Sequence, residues 1–149
     1  MKNINVKIKF SPRNKDLSMP KYTTLGASGA DIYADILDDI MISPSQTVLI
    51  DTGIFMDIPY GYEIQIRPRS GLALKNSITL PNTPGTIDSD YRGELKIIVH
   101  NLGKETFILK PKDRIAQMVL MPVYKINWIE VDSLEESERN DGGFGHTGV

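Results

Sequence analysis

Apolar and polar side chains alternate with a period of two along much of this chain, and that pattern constrains it to strands with one buried face. Val6, Ile8 and Phe10 alternate with Lys7 and Lys9, and Tyr62, Ile64 and Ile66 with Glu63, Gln65 and Arg67. Leu95, Ile97 and Val99 alternate with Lys96, Ile98 and His100. Both faces of that last run are largely apolar, which suits a sandwich interior or a subunit interface. Further strands are expected at 46–50, 53–58, 105–109 and 114–121. Turn signals fall at Thr52-Gly53, Pro59-Tyr60-Gly61, Asn101-Leu102-Gly103 and Lys110-Pro111-Lys112-Asp113. Short strands broken by frequent turns predict an all-β sandwich or barrel. The one helix expected is a turn or two from Ser70 to Asn76, with Ser70 as its cap.

A chain of 149 residues fits a single domain that buries well over half of its unfolded surface. We divide it into a β core, 1–129, and a peripheral segment, 130–149. The latter is an acidic connection (Glu130, Asp132, Glu135, Glu136, Glu138) followed by a glycine-rich tail. Cysteine is absent, which removes thiolate catalysis, disulfides and cysteine–zinc sites. The start lacks an apolar signal-peptide core, and no apolar run approaches the ~20 residues that span a bilayer. A soluble, cytoplasmic protein without membrane partners is therefore expected. A formal charge of −2 argues against a nucleic-acid polymer as partner. A small anion held by a few placed cations stays open.

Several motifs can be weighed against plainer explanations. Gly143-Phe144-Gly145-His146-Thr147-Gly148 matches the dinucleotide pattern letter for letter, but the pattern needs a following helix and only Val149 remains. A disordered terminus, or a flexible flap whose aromatic ring closes on a planar base, are the two alternatives. Asp88 to Arg92 resembles the start of a calcium loop, yet Val99 stands where that loop requires Glu. His100 and His146 have no neighbours at metal-ligand spacing. Arg67 and Arg69, two apart on an extended segment, point to one face beside the expected helix start. Such a pair can hold a polyphosphate through bidentate bonds, or can be a surface cluster with a capping serine. Asn82 to Glu94 combines an Asn-Pro-Gly hairpin, whose backbone groups could read a ligand edge, with a carboxylate able to activate water. The plainer reading is a polar hairpin.

In order along the chain, five segments resemble the motifs of the trimeric dUTP pyrophosphatases (dUTPases). They are Ala27-Ser28-Gly29-Ala30-Asp31-Ile32-Tyr33-Ala34, Arg67-Pro68-Arg69-Ser70-Gly71-Leu72-Ala73, Asn82 through Glu94, Arg114-Ile115-Ala116-Gln117-Met118, and Arg139 to Gly148. The resemblance spans nearly the whole domain. It implies a jelly-roll-like β-barrel, a homotrimer with active sites shared between subunits, and a flexible C-terminal tail. It also implies hydrolysis of dUTP to dUMP and pyrophosphate, which keeps uracil out of DNA and supplies dUMP for dTMP synthesis. Asp88 would deprotonate the water that attacks the α-phosphorus, and Asp31 would bind a water of a Mg²⁺ ion held mainly by the triphosphate. Ser70 and Gln117 would contact the phosphates with Arg69 nearby, and Gly71 would also bind the substrate. Asn82 and the backbone of Gly85, Thr86 and Ile87 would read uracil, with Lys96 also on the substrate. Tyr91 would pack under the deoxyribose and exclude a 2′-hydroxyl. In the tail, Phe144 would stack on uracil while Arg139, Gly145 and Thr147 reach the terminal phosphates.

The rivals are a dCTP deaminase, or a bifunctional deaminase and dUTPase, on the same fold, and a non-catalytic nucleotide-binding regulator. Asp88 with Tyr91, and a short tail carrying Phe144, favour the pyrophosphatase.

Overall fold

The computed structural model describes residues 3–13 and 18–143. Its strands are β1 (Lys7–Phe10), β2 (Ala30–Tyr33), β3 (Ile40–Ile42), β4 (Thr47–Asp57), β5 (Tyr62–Arg67), β6 (Ile78–Thr79), β7 (Gly85–Ile87), β8 (Leu95–Asn101), β9 (Phe107–Leu109) and β10 (Arg114–Pro122), with one helix, α1 (Ser70–Asn76). Two four-stranded antiparallel sheets, in the orders β1-β4-β8-β6 and β2-β10-β5-β7, stand beside a small β3-β9 pair. Ile50, Leu95, Ile97 and Val99 from the first sheet and Ile32, Ile64, Ile66 and Ala116 from the second join one buried cluster. The expected all-β class holds, and the two sheets resemble a jelly roll in which the barrel is not closed. Among the described residues no helix is long and apolar enough to cross a membrane.

Period-two alternation translates directly into burial on β8, where Leu95, Ile97, Val99 and Asn101 are buried and Lys96 is exposed. Ile98 is only partly covered, so within the chain this strand is buried chiefly on one face rather than on both. The separate strands expected at 46–50 and 53–58 form the single eleven-residue β4. Thr52-Gly53 is a bulge in it and not a turn: the pairing with β8 passes from Asp51↔Lys96 to Ile54↔Leu95. Gly53 takes a positive φ of 65° there, which suits a residue without Cβ. Thr52 is fully buried at the bulge, and its hydroxyl donates to the Leu95 carbonyl at 2.6 Å.

The 82–85 segment is also not the hairpin that its composition suggests. The strands flanking it lie in different sheets, β6 on β8 and β7 on β5, so the turn is a crossover between layers. Its Asn, Pro and Gly residues serve a change of sheet as well as they would a tight hairpin. That crossover carries Gly85 to Ile87 onto the edge of the second sheet, next to β5.

Candidate active site

Asp31, Gln117 and Arg67 sit opposite one another on β2, β10 and β5. Directly opposed residues of an antiparallel ladder share a face. Their neighbours Ile32, Met118 and Ile66 turn into the core, so this row points outward. α1 begins where β5 ends and adds Arg69, Ser70 and Gly71 to the same place. The result is an open pocket of about 480 Å³ lined by Thr23, Ala27, Ser28, Gly29, Asp31, Arg67, Arg69, Ser70, Gly71, Arg114, Gln117 and Val119. Three guanidiniums face one carboxylate in it, a balance that favours an anion.

Asp31 organises those cations. Its Oδ1 accepts from Arg69 Nε at 2.9 Å and its Oδ2 from Arg114 Nη1 at 3.0 Å. Arg67 is held separately, donating to Gln65 Oε1 at 2.7 Å. Gln117 Nε2 donates to the Pro68 carbonyl at 3.0 Å, which fixes the amide across the start of the Arg69–Ser70 turn. The amide also lies so close to Gly29 that a Cβ there would overlap its oxygen. Glycine in the first motif is thus a packing requirement of the fourth. Ser70 is the first helical residue rather than the cap: Arg69 occupies that position with extended backbone and no side-chain cap bond. The Ser70 hydroxyl is therefore not spent on its own helix.

A second pocket, about 220 Å³, is lined by Thr86, Ile87, Asp88, Tyr91, Glu94, Leu95 and Lys96. Asp88 follows β7 and is exposed, and among the described residues its carboxylate makes no hydrogen bond or ion pair. The loop it opens is tightly tied. Tyr91 N–H donates to the Asp88 carbonyl at 3.2 Å, and Tyr91 Oη donates to the Glu94 carbonyl at 3.1 Å. The Tyr91 ring folds across Gly93, where any Cβ would collide with it. Arg92 donates to the Ser89 and Tyr91 carbonyls at 2.7 and 3.0 Å and to Asp57 Oδ1 at 2.7 Å. Lys7 pairs with the other Asp57 oxygen at 3.1 Å, and the Lys7 and Arg92 charges together hold the Asp57 carboxyl below its ordinary range. At the opposite wall Lys96 Nζ pairs with Asp51 Oδ1 at 2.9 Å, a bond that raises the Lys96 ammonium above its ordinary value. Asn82 is exposed on the crossover, with its amide nitrogen 3.0 Å from where a Gly85 Cβ would stand.

Most of the sequence-predicted residues therefore collect in two groups: Asp31, Arg69, Ser70, Gly71 and Gln117 in the cationic pocket, and Thr86, Ile87, Asp88, Tyr91 and Lys96 in the smaller one. The two pockets share no lining residue. Arg139 lines neither; its Nε donates to the Gly142 carbonyl at 2.6 Å, closing a turn on itself. Phe144, Gly145 and Thr147 lie outside the described residues. Sequence reasoning gave no role to Arg114, although it begins the fourth motif, nor to Arg13, whose partners are far away in the chain.

Among the described residues no three His, Cys, Asp or Glu converge to hold a metal ion. Asp31 is the one carboxylate of the cationic pocket, and each of its oxygens already receives one arginine bond. A carboxylate offers about four lone-pair sites, so capacity for a water-borne proton remains. That donor set fits Mg²⁺ carried by phosphates and water, since Mg²⁺ keeps several waters and needs few protein ligands.

An all-β chain with a cationic pocket and, apart from it, a free carboxylate beside an aromatic ring has the equipment of a protein that acts on phosphorylated ligands. The sequence model of the dUTPase family matches residues 15–148, and the chain belongs to that family. The deoxyuridine 5'-triphosphate nucleotidohydrolase of Caldanaerobacter subterraneus subsp. tengcongensis is 54% identical over 147 residues, spanning 99% of each chain. The enzyme of the same name from Fusobacterium nucleatum is 49% identical over 148 residues, again spanning 99% of each. Among solved structures, a mutant of the Staphylococcus bacteriophage 80alpha dUTPase with dUpNHpp superposes with a TM-score of 0.81 at 25% identity, over 99% of this chain and 100% of that one. A mutant of the dUTPase from phage phi11 of S. aureus, described with a structural Mg(II) ion, shares the fold, with a TM-score of 0.77 at 21% identity over 89% of this chain and 100% of that one.

Proposed function

We propose that this chain hydrolyses dUTP to dUMP and pyrophosphate, with Asp88 activating the water that attacks the α-phosphorus. The observation that carries this reading is the free Asp88 carboxylate in a pocket walled by Tyr91, separate from a pocket of arginines around Asp31. Asp88 takes a proton from water as its oxygen bonds to phosphorus. The bond from that phosphorus to the α–β bridging oxygen breaks, and pyrophosphate leaves with the electron pair. Arg69, Ser70, Gly71 and Gln117 would receive the phosphate chain and stabilise its charge. Mg²⁺, bound mainly by the triphosphate, would neutralise part of that charge, with Asp31 accepting a hydrogen bond from its water shell.

Uracil would lie against the crossover, read by Asn82 and the backbone of Gly85, Thr86 and Ile87. A cytosine edge would leave those backbone groups unpaired, and a site built on such bonds can discriminate by ~10⁴-fold or more. The Tyr91 ring would form the floor under the deoxyribose and leave no room for a 2′-hydroxyl, with Lys96 at the rim. Arg139, Phe144, Gly145 and Thr147 would close over the substrate as a flap belonging to the peripheral 130–149 segment. Cytoplasmic removal of dUTP and supply of dUMP belong to the same reading.

A homotrimer with sites completed across subunits is part of the proposal. Its support is that the Asp88 and arginine pockets have no common wall, and that the smaller, at about 220 Å³, falls short of the roughly 300–1,000 Å³ of small-molecule sites. The test is Mg²⁺-dependent pyrophosphate release from dUTP beside UTP, dTTP and dCTP, with nucleoside products identified. Release from dUTP alone with dUMP formed is the expected result. A uracil product from dCTP would move the protein to the deaminases, and no turnover of any substrate would leave a binding module.

A further inference from the structure

We propose that Arg13 is a positioning residue for the sugar-binding wall of the site, acting through Glu94 and Tyr91. The guanidinium stands among three carboxylates from distant parts of the chain. Its Nη1 donates to Asp51 Oδ2 at 2.7 Å, and its Nη2 donates to Glu94 Oε1 and lies 3.5 Å from Asp35 Oδ2. The Asp35 side chain is 1% exposed, and Oδ2 has no hydrogen-bond partner among the described residues. Glu94 Oε1 also accepts from the Gly53 N–H at 2.8 Å, which anchors it to the β4 bulge. The same residue's backbone carbonyl receives the Tyr91 hydroxyl.

One cation thereby fixes two walls of the Asp88 pocket. Through Glu94 it fixes the point to which the Tyr91 phenol is tied, and through Asp51 the acceptor that holds Lys96. With Arg13 present, three carboxylates face two cations; without it they face Lys96 alone. Glu94 and Asp51 then repel each other across the bulge, and the cheapest relief is for the Glu94 side chain to leave the Gly53 N–H and swing toward solvent. Residues 91–94 would move with it. Tyr91 needs a fixed ring to exclude a 2′-hydroxyl, so the first property to suffer is sugar selectivity.

The inference rests on the reading of Tyr91 as the sugar floor, and the experiment separates the two. In the full chain, kcat and KM are measured for dUTP and UTP in the parent and in Tyr91→Ala, Arg13→Lys, Asp35→Asn and the double variant Arg13→Gln/Asp35→Asn. The double variant removes the buried charge that Arg13→Gln alone would strand, so it keeps the fold while leaving Glu94 without its cation. It is expected to raise KM for dUTP and to reduce the dUTP-over-UTP preference by about ten-fold. Arg13→Lys keeps the charge but not the fork and should recover part of that preference. Asp35→Asn alone should match the parent. A double variant with the parent's melting temperature, KM and preference would overturn the proposal and reduce Arg13 to a counter-ion for Asp35. If Tyr91→Ala also leaves the preference unaltered, the sugar-floor reading itself is lost; if Tyr91→Ala relaxes it and the double variant does not, only Arg13 is.

Discussion

Gly29 shows how a single residue type can be demanded by a neighbour rather than by the backbone. A Cβ there would overlap the Gln117 amide, whereas at Gly26, three residues earlier, a Cβ would meet nothing within 4 Å. Gly29→Ala must therefore displace Gln117 from the Pro68 carbonyl and disturb the row Asp31–Gln117–Arg67. Misplacement of a phosphate-binding group by about 1 Å can cost ~10²-fold, so kcat/KM for dUTP should fall by about that factor. Gly26→Ala should leave it unchanged, and equal losses in both variants would refute the packing argument. A second prediction concerns acid. Burial raises the Asp51 carboxyl, but the bonds from Lys96 and Arg13 outweigh it and hold the group below its ordinary 3.8. A lowered folded-state value means that the contribution of Asp51 to stability is present above pH 3.8 and is lost as pH falls through that lower value. Asp51→Asn should be less stable than the parent in urea at pH 7, with the difference shrinking as the pH drops below 3.8. A gap that persists in strong acid would assign the effect to something other than charge. Asp88 stands out in the sequence as a carboxylate after a polar turn, while Asp31 and Gln117 enter only through the resemblance of their segments to dUTPase motifs. Arg13 does not stand out, because its partners Asp51 and Glu94 lie 38 and 81 residues away and meet it only through the fold.

Strands were legible wherever alternation lasted five residues or more, as on β5 and β8. Of the strands that run two or three residues, β3, β6 and β7 leave too little pattern to recognise, whereas β9 falls inside the strand expected at 105–109. Bulge and turn also use the same residues, which is why Thr52-Gly53 reads as a break although β4 runs through it. Which sheet a strand joins is likewise invisible locally, so the 82–85 crossover has the composition of a hairpin. Another device of this kind is Asn101 at the end of β8. It is fully buried, donates from Nδ2 to the Ile42 and Glu105 carbonyls at 2.8 Å each, and accepts from the Gly103 N–H at 2.8 Å. One amide thus ties β8 to β3 and to the loop leading into β9. Asn101→Ala leaves the buried Ile42 carbonyl and two part-buried backbone groups without their side-chain partner and should cost about 3 kcal/mol by urea unfolding. Asn101→Asp should be worse, because it sets a carboxylate against two carbonyls. Full stability in either variant would mean that water replaces the side chain without loss.

At the scale of the whole molecule, a run of large apolar side chains after β10 stays exposed. The chain continues there without pairing through Tyr124, Ile126, Trp128, Ile129 and Val131, all exposed, with Tyr124 at 87% and Trp128 at 83%. Tyr124, Ile126 and Trp128 alternate with Lys125 and Asn127 in the period that β-strands use, yet among the described residues no strand receives them. Soluble single chains rarely expose a contiguous run of large apolar side chains, and such a run marks a contact with another molecule. The proposed homotrimer supplies one, since every copy offers the same arm and the same receiving surfaces in closed symmetry. Burying a side chain of this size stabilises by about 1.5–3 kcal/mol, so a few of them together decide whether subunits stay joined. Ile126→Ser with Trp128→Ser should therefore lower the mass measured by light scattering from that of three chains toward that of one. The sheets and their core are untouched by these positions, so far-ultraviolet circular dichroism should remain that of a folded β protein. Activity should fall with the mass, because a single chain holds the Asp88 pocket and the arginine pocket apart. A variant that stays a trimer would show that the arm is not what holds the copies together. A variant that becomes a monomer and still turns over dUTP at the parent's rate would show that one chain carries a complete site.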